Sequence, residues 1–172
     1  MKIKVLVTGG AGQLGNLVCE SIAKAGFDPI AIDKLMHSTY ESLPAFGMTV
    51  EADLCDYQRL LDLFKQQQFK AVIHCSRLNK IEESIQMPDF YYQNNFGGTL
   101  CVVKAMLATS VSVMIYPRSS APEDTPLGRS YAMIEQLLKD SARAYPLQVD
   151  FMERNPEAIA SRLLEIFGTQ PK

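Results

Sequence analysis

Glycines near the start of the chain have the spacing of a phosphate-binding turn. Gly9, Gly12 and Gly15 lie between the apolar run 3–7 and an amphipathic segment, which predicts a strand that enters a helix through a tight turn. Such a turn brings backbone close to a pyrophosphate, and the N–H groups at the helix start favour the anion. Roughly 20 residues on, Asp33 ends the next apolar run, where an acceptor for ribose hydroxyls is needed. This context predicts a dinucleotide-type βαβ unit; a glycine turn that serves packing alone is the alternative.

Composition and charge narrow the class of protein. A chain of 172 residues with 47% hydrophobic content can bury the core of one domain, and a net charge of −2 argues against a nucleic-acid partner. The four cysteines form no C-x-x-C pair and are typical of reduced thiols in a cytoplasmic protein. His37 stands in a polar segment, and His74 and Cys75 would point to opposite faces of a strand, so neither a metal site nor a nucleophile dyad is expected. The first apolar run is too short for a signal peptide or a membrane span.

Apolar patterns alternate between strands and helices along the chain. Strands are predicted over 3–7, 30–33, 48–51, 71–75, 111–116 and 147–152. The alternation predicts an α/β fold, a doubly wound parallel sheet of the Rossmann type with strand order 3-2-1-4-5-6. The proline-rich stretch 117–126 is expected to be an irregular loop.

The end of the chain predicts one further helix. Asn155 is a good N-cap, Pro156 suits the first helical position, and Gly168 is placed to end the helix. We therefore expect a Rossmann domain over 1–154, a C-terminal helix packed on it over 155–168, and a tail over 169–172. On this interpretation the chain ends on a finished helix.

Short blocks of sequence match one known family in the order in which that family has them. The blocks are 5–15, 38–43, 72–74, 83–84, 91–95, 98–100, 128–130, 133–135 and 142–146. Through them, residues 1–156 resemble the extended short-chain dehydrogenase/reductase family, that is, the NAD-dependent epimerases and dehydratases, and within it the UDP-glucose 4-epimerases. The resemblance implies an NAD-binding domain and a homodimer that uses the two long helices over 90–107 and 127–145. It also implies a C-terminal lobe for a nucleotide sugar, and no counterpart of that lobe follows residue 156.

The resemblance carries a cofactor site onto named positions. The residues expected to hold the cofactor are Gly9, Gly12, Gln13, Leu14, Gly15, Asp33, Lys34, Asp53, Leu54, Cys75, Ser76, Arg77 and Asn95. Lys34 leaves NADP open, but the Asp33 carboxylate would repel a 2′-phosphate, so NAD is favoured. On the nicotinamide side, residues 75–77 replace a small aromatic-Ala-Gly turn and Asn79 replaces a lysine. The ADP moiety is therefore expected to be held most securely.

The catalytic residues of the family are altered. Its Tyr-x-x-x-Lys pair falls on Leu127 and Tyr131, and a leucine cannot exchange a proton. If Tyr131 were the acid instead, Glu135 would stand at the cation position and raise the pKa of the phenol. Ser120 matches the catalytic serine. The candidate catalytic residues are thus Ser120 and Tyr131, with a loop or cap serine and a helix-packing tyrosine as the competing interpretations.

Three functions remain open on the sequence. The first is a catalytically degenerate protein that binds NAD or its ADP portion and acts as a nucleotide-binding or regulatory homodimer. The second is an altered epimerase or oxidoreductase that uses Ser120 and Tyr131 or is completed by a partner subunit. The third is a scaffold that binds no cofactor. Arg77 and Lys80 are interpreted as exposed loop cations, with a phosphate contact as the alternative. The apolar residues Cys101, Val102, Met106 and Leu107 would suit the dimer interface, with packing against the sheet as the alternative that explains part of their pattern.

Overall fold

The computed structural model describes residues 2–36 and 43–169, and these form a parallel sheet of six strands. The strands are β1 (Lys4–Thr8), β2 (Asp28–Asp33), β3 (Met48–Glu51), β4 (Ala71–His74), β5 (Val113–Pro117) and β6 (Gln148–Met152). Their order is β3-β2-β1-β4-β5-β6. The doubly wound sheet and the strand order predicted from the alternating pattern are therefore confirmed. His37 and most of the block 38–43 lie outside the described residues.

Helices cover both faces of the sheet. They are α1 (Gln13–Lys24), α2 (Tyr57–Gln67), α3 (Ile81–Gln86), α4 (Pro88–Tyr91), α5 (Gly98–Ala108), α6 (Pro126–Ala144) and α7 (Pro156–Phe167), with a π-helical segment, Tyr92–Gly97, between α4 and α5. Helices α1 and α7 pack together on one face, and α2, α5 and α6 contribute to the core on the other. Each face of the sheet thus has its own apolar core.

The central strand β1 shows how the sequence builds both cores. Leu6 faces the core of α2, α5 and α6, whereas Val5 and Val7 face the core of α1 and α7, and all three are fully buried. Leu6 pairs with Ile30 of β2 and Val72 of β4. A strand that is covered on both faces reads as a continuous apolar run, which is the pattern of a parallel sheet.

Two strands begin two residues away from the predicted positions, and β1 and β6 each begin one residue later than predicted. β2 starts two residues earlier, at Asp28, because Asp28 and Pro29 already pair with β1. Pairing with β3 begins only at Ile30, so Pro29 needs no N–H donor on that side. β5 starts two residues later than predicted, because the N–H of Val111 donates to Met106 O at 2.9 Å and closes the end of α5 instead of joining the sheet.

The helices that flank the later strands begin at capping side chains. Thr125 caps α6 by accepting from the N–H of Gly128 at 3.0 Å, and it is the last residue of the irregular loop, which spans 118–125 instead of the predicted 117–126. Asn155 caps α7 by accepting from the N–H of Ala158 at 2.9 Å, as its position before Pro156 predicts.

Candidate functional site

A cavity of about 320 Å³ lies at the carboxyl edge of the sheet. This volume is at the lower end of the range of small-molecule sites, roughly 300–1,000 Å³. Its lining consists of Gly9, Gly12, Ile32, Asp33, Lys34, Met36, Ala52, Asp53, Leu54, Ser76, Arg77, Leu78, Asn79, Asn94 and Asn95. The cavity covers the ends of β1, β2 and β3 and reaches the turn after β4. It therefore adjoins the switch point between β1 and β4, where α/β sheets bind ligands.

The glycine turn forms the floor of this cavity. Gly9 has φ +68°, and a Cβ there would lie 2.7 Å from the Cα of Ser76. The close approach of this turn to the turn after β4 therefore requires a glycine at position 9. A Cβ on Gly15 would lie 2.1 Å from Gly9 O, so Gly15 lets α1 pack on the turn. The N-cap of α1 is Gly12, which has no side chain to accept from the first N–H groups of the helix. The first N–H groups of α1 are therefore available to an anion.

Asp33 borders the cavity at the end of β2. Its Oδ2 accepts from the N–H of Ala11 at 3.1 Å, and its Oδ1 accepts from the N–H of Leu35 at 2.8 Å. The carboxylate thus fixes the glycine turn against β2. An ionised carboxylate has about four lone-pair positions, so both oxygens can also accept from the hydroxyls of a ribose.

A lysine bridge spans the opposite wall. Lys34 Nζ donates to Asp53 Oδ2 at 3.0 Å and to Asn94 Oδ1 at 2.7 Å, and it lies 5.4 Å from the ring centre of Phe90. Burial would raise the pKa of Asp53, but the N–H of Cys55 and the Lys34 ammonium outweigh it and hold this pKa below its ordinary value. The ammonium of Lys34 is therefore already engaged and is not a free cation for a 2′-phosphate.

Asn95 holds the turn after β4 in place. Its Oδ1 accepts from the N–H of Leu78 at 2.8 Å, and its Nδ2 donates to Leu78 O at 3.2 Å and to Ser130 Oγ at 3.1 Å. The side chain borders the cavity but is 1% exposed. The structure therefore places Asn95 as a positioning residue whose amide is occupied by the protein itself.

His74 joins β1, β4 and α5 beneath the cavity. Its Nδ1 lies 2.8 Å from Thr8 Oγ1 and its Nε2 lies 2.8 Å from Thr99 Oγ1, while Thr99 uses its own proton to donate to Asn95 O. Burial lowers the pKa of His74 to about 3, and burial raises the pKa of the adjacent Cys75 thiol to about 12. Cys75 packs against the core on the opposite face of the sheet, so the structure confirms that the two residues form no nucleophile dyad.

Arg77 is not the exposed loop cation that the sequence predicts. It is half-buried, its Nη1 donates to Tyr116 Oη at 3.2 Å, and its Nη2 donates to Pro117 O. The guanidinium carbon lies 5.2 Å from the ring centre of Tyr116 and 5.7 Å from that of Tyr131. Its Nε is buried without a hydrogen-bond partner among the described residues. The side chain is not exposed because it packs into an aromatic slot between β5 and α6, and the sequence pattern does not reveal that slot.

The two candidate catalytic residues lie in different surroundings. Tyr131 is buried, its hydroxyl donates to Leu78 O at 3.1 Å, and burial raises its pKa. Ser120 is exposed and borders a separate surface depression with Glu135 and Arg154. Leu127 is buried in the core of α2, α5 and α6. Tyr131 thus packs α6 onto the turn after β4, and α6 is capped by Thr125 rather than by Ser120.

Four residues expected in the cofactor site do not line the cavity: Gln13, Leu14, Gly15 and Cys75. Leu14 and Cys75 pack against the core of α1 and α7, and the Gln13 side chain is exposed at the start of α1. Sequence reasoning missed other lining residues, namely Ile32, Met36, Ala52, Leu78 and Asn94. Asn94 lies beside the predicted Asn95, but the π-helical geometry that turns both toward the cavity has no signal in the apolar spacing.

Within residues 2–36 and 43–169, no three His, Cys, Asp or Glu side chains are placed together to hold a metal ion. None of the helices found there is long and apolar enough to cross a membrane.

The parallel sheet, the glycine turn beside the switch point and the carboxylate after β2 define an α/β protein of the Rossmann class. The model of the NAD dependent epimerase/dehydratase family matches residues 5–152. The chain belongs to that family.

The relatives that the chain matches are about twice its length. UDP-glucose 4-epimerase of Yersinia pestis is 34% identical over 166 residues, which cover 83% of this chain and 49% of that protein. UDP-glucose 4-epimerase of Mus musculus is 33% identical over 171 residues, which cover 82% and 49%. The chain thus spans about half the length of these curated relatives.

Solved structures agree with the fold. UDP-glucose 4-epimerase from Brucella ovis, in complex with NAD, matches with a TM-score of 0.81 and 30% identity, over 87% of this chain and 50% of that one. UDP-glucose 4-epimerase from Thermotoga maritima, with UDP-glucose, matches with a TM-score of 0.82 over 88% and 55%, and its 22% identity supports the fold alone.

Proposed function

We propose that this protein binds NAD through its ADP moiety, does not epimerise a sugar nucleotide, and acts as a nucleotide-binding or regulatory homodimer. The observation that carries the proposal is the contrast between the two ends of the carboxyl edge. An open cavity with two carboxylates lies over β1, β2 and β3, whereas a half-buried arginine and a buried tyrosine fill the edge at β5 and α6.

Features of the cavity support the adenosine half of the ligand. Asp33 borders the cavity where the ribose hydroxyls would lie, and Asp53 and Leu54, which also line it, match the pair that the family resemblance assigns to adenine. Gly9 and Gly12 leave room for a pyrophosphate at the start of α1, where the helix dipole favours an anion. The relative from Brucella ovis is an NAD complex, which agrees with this choice of cofactor.

Features of α6 support the loss of epimerase chemistry. Leu127 stands at the position of the family's proton-transferring tyrosine, and general acid–base help is typically worth roughly 10²–10⁴ in rate. The Tyr131 hydroxyl donates to a backbone carbonyl, and burial raises its pKa, so it is poorly placed to exchange protons. Ser120 is exposed and borders a different depression.

Calorimetry of the purified chain tests the proposal. We expect ADP-ribose to bind about as well as NAD, and nicotinamide mononucleotide to bind at least tenfold more weakly. Asp33→Ala is expected to weaken NAD binding by about tenfold or more, because a charge-assisted hydrogen bond is lost. Asp28→Ala, at the other end of β2, is the matched control and should leave the affinity unchanged.

Two outcomes would contradict the proposal. Turnover of UDP-galactose by the purified chain would show that α6 is catalytically competent and would favour the altered enzyme. Absence of binding by NAD, ADP-ribose and ADP alike would favour a scaffold without a cofactor.

A further inference from the structure

We propose that Arg77 is a specificity-determining residue that ends the nucleotide site after the second phosphate, so that the cavity selects adenosine diphosphate over the full-length dinucleotide. The inference rests on the proposed function and narrows the ligand class of the same site.

The cavity ends at the turn that carries Arg77. Its lining includes Ser76, Arg77 and Leu78, but among the described residues it takes nothing from β5, β6 or α6. The adenosine end lies at Asp33 and Asp53, and the glycine turn lies between that end and Arg77. A dinucleotide that continued past its second phosphate would have to extend beyond Arg77, toward the strand and helix that the guanidinium now joins.

Arg77 fills that continuation with several contacts at once. Its Nη1 donates to Tyr116 Oη at 3.2 Å, its Nη2 donates to Pro117 O, and the guanidinium lies over the rings of Tyr116 and Tyr131. These partners belong to β5 and α6, so the side chain ties the turn after β4 to both elements. A nicotinamide riboside entering here would have to break two hydrogen bonds and two cation–π contacts.

The charge of Arg77 favours a ligand that ends in a phosphate. None of the ion pairs in the described part of the chain includes Arg77, so no carboxylate there neutralises its guanidinium within 4 Å. Its Nε is a buried donor without a partner among those residues. The terminal phosphate of ADP carries more negative charge than the same phosphate in the diester of NAD, since its second ionisation has a pKa near 6. A guanidinium at the end of the cavity therefore favours ADP on charge as well as on length.

Calorimetry with ADP and NAD tests this inference in three proteins. We expect wild-type protein to bind ADP at least tenfold more tightly than NAD. Arg77→Gly should reduce this preference at least tenfold, because ADP loses its charge partner while NAD gains room. Lys80→Ala is the matched control: it removes an exposed cation from the same turn and should keep the wild-type preference.

Arg77→Met separates charge from volume and covers the case in which the glycine variant does not fold. It keeps a long side chain without charge, so we expect ADP to bind at least tenfold more weakly and NAD to bind as before. Equal or tighter binding of NAD than of ADP by the wild type would overturn the inference, as would an unchanged preference in both Arg77 variants. Either result leaves the proposed function intact, whereas a protein that binds no adenine nucleotide removes both.

Discussion

The side chain of His74 links the sheet to the wall of the cavity. Its ring accepts from Thr8 and donates to Thr99, which uses its own proton on Asn95 O, so the neutral imidazole has both nitrogens satisfied. The same Thr8 oxygen accepts from the N–H of Ser76 at 3.1 Å. A proton added to this ring would disturb the turn after β4 as well as the contact between β1 and α5.

The buried His74 predicts a loss of stability in mild acid. Its pKa is about 3 in the folded protein and 6.5 in a model peptide, so the unfolded chain binds the extra proton between these values. The contribution of the neutral His74 ring to the free energy of unfolding is therefore complete above pH 6.5 and is lost as the pH falls toward 3. From this group alone, the free energy of unfolding is about 2 kcal/mol lower at pH 5 than at pH 7. Urea unfolding at both pH values checks this.

A variant isolates the part that belongs to His74. His74→Gln cannot titrate, and its amide can replace one donor and one acceptor of the ring. We expect its free energy of unfolding to fall by about 2 kcal/mol less than that of the wild type between pH 7 and pH 5. Equal losses in the two proteins would assign the acid sensitivity to other groups.

The residues of the site differ in how far the sequence reveals them. Asp33 was predictable, because a carboxylate at the end of a strand after a glycine turn has few other roles. The burial of Arg77 was not, since it depends on a slot between Tyr116 and Tyr131 that only the packing of β5 and α6 creates. Charged side chains in loops are usually exposed, but tertiary contacts with β5 and α6 partly bury Arg77.

Helix α1 packs so closely on the glycine turn that position 15 has no space for a side chain. A Cβ on Gly15 would meet Gly9 O at 2.1 Å and the Cα of Gly10 at 2.8 Å. Both contacts are to backbone, so relief requires that the whole start of α1 move away from the turn. The phosphate-binding geometry and the packing of this helix therefore depend on the same glycine.

Gly15→Ala is predicted to destabilise the protein and to weaken nucleotide binding together. We expect a loss of about 1–3 kcal/mol, which is typical of overpacking in a tight site. Gly97→Ala is the matched control, because a Cβ there meets nothing within 4 Å in a helical backbone. That change should raise stability by about 0.5–1 kcal/mol. Chemical denaturation of the two variants checks both signs, and a neutral Gly15→Ala would contradict the packing described for α1.

The sequence predicts which strands and helices exist better than it predicts where they begin and what helical geometry they adopt. All six strands were expected, because continuous apolar runs separated by helical spacing have few other interpretations. The helix predicted over 90–107 is instead α4, a π-helical segment and α5 in succession. The extra residue in Tyr92–Gly97 offsets the apolar spacing by a single position, which periodicity alone could not reveal.

The homodimer of the whole molecule stays a prediction, and core packing accounts for two of the four residues that would suit its interface. Val102 and Met106 are fully buried against the protein's own core. The exposed apolar side chains on the two long helices are Leu100 of α5, 37% exposed, and Met133 of α6, 41% exposed. These residues are the better candidates for contact with a second copy.

Sedimentation velocity tests the dimer. We expect the wild type to sediment as a dimer and the double variant Leu100→Glu, Met133→Glu to sediment as a monomer, because two charges would be buried at the interface. Ile85→Glu on α3 is the control, since Ile85 is 60% exposed and lies on neither long helix. A monomeric wild type, or a dimer that survives the double change, would remove this assignment.

The widened turn Tyr92–Gly97 sets the phase between two halves of one long helix. Upstream of it, Phe90 packs beside Lys34, and downstream of it, Thr99 contacts His74. Loss of one codon in this stretch would keep the reading frame and let the helix rewind as an ordinary α-helix. The two halves would then keep nearly the same rotation about the axis, because a π-helical turn holds one residue more than an α-helical turn. A single in-frame deletion here would thereby leave the lysine bridge and the histidine beneath it in place, whereas the same deletion inside α5 would rotate the residues beyond it by about 100°.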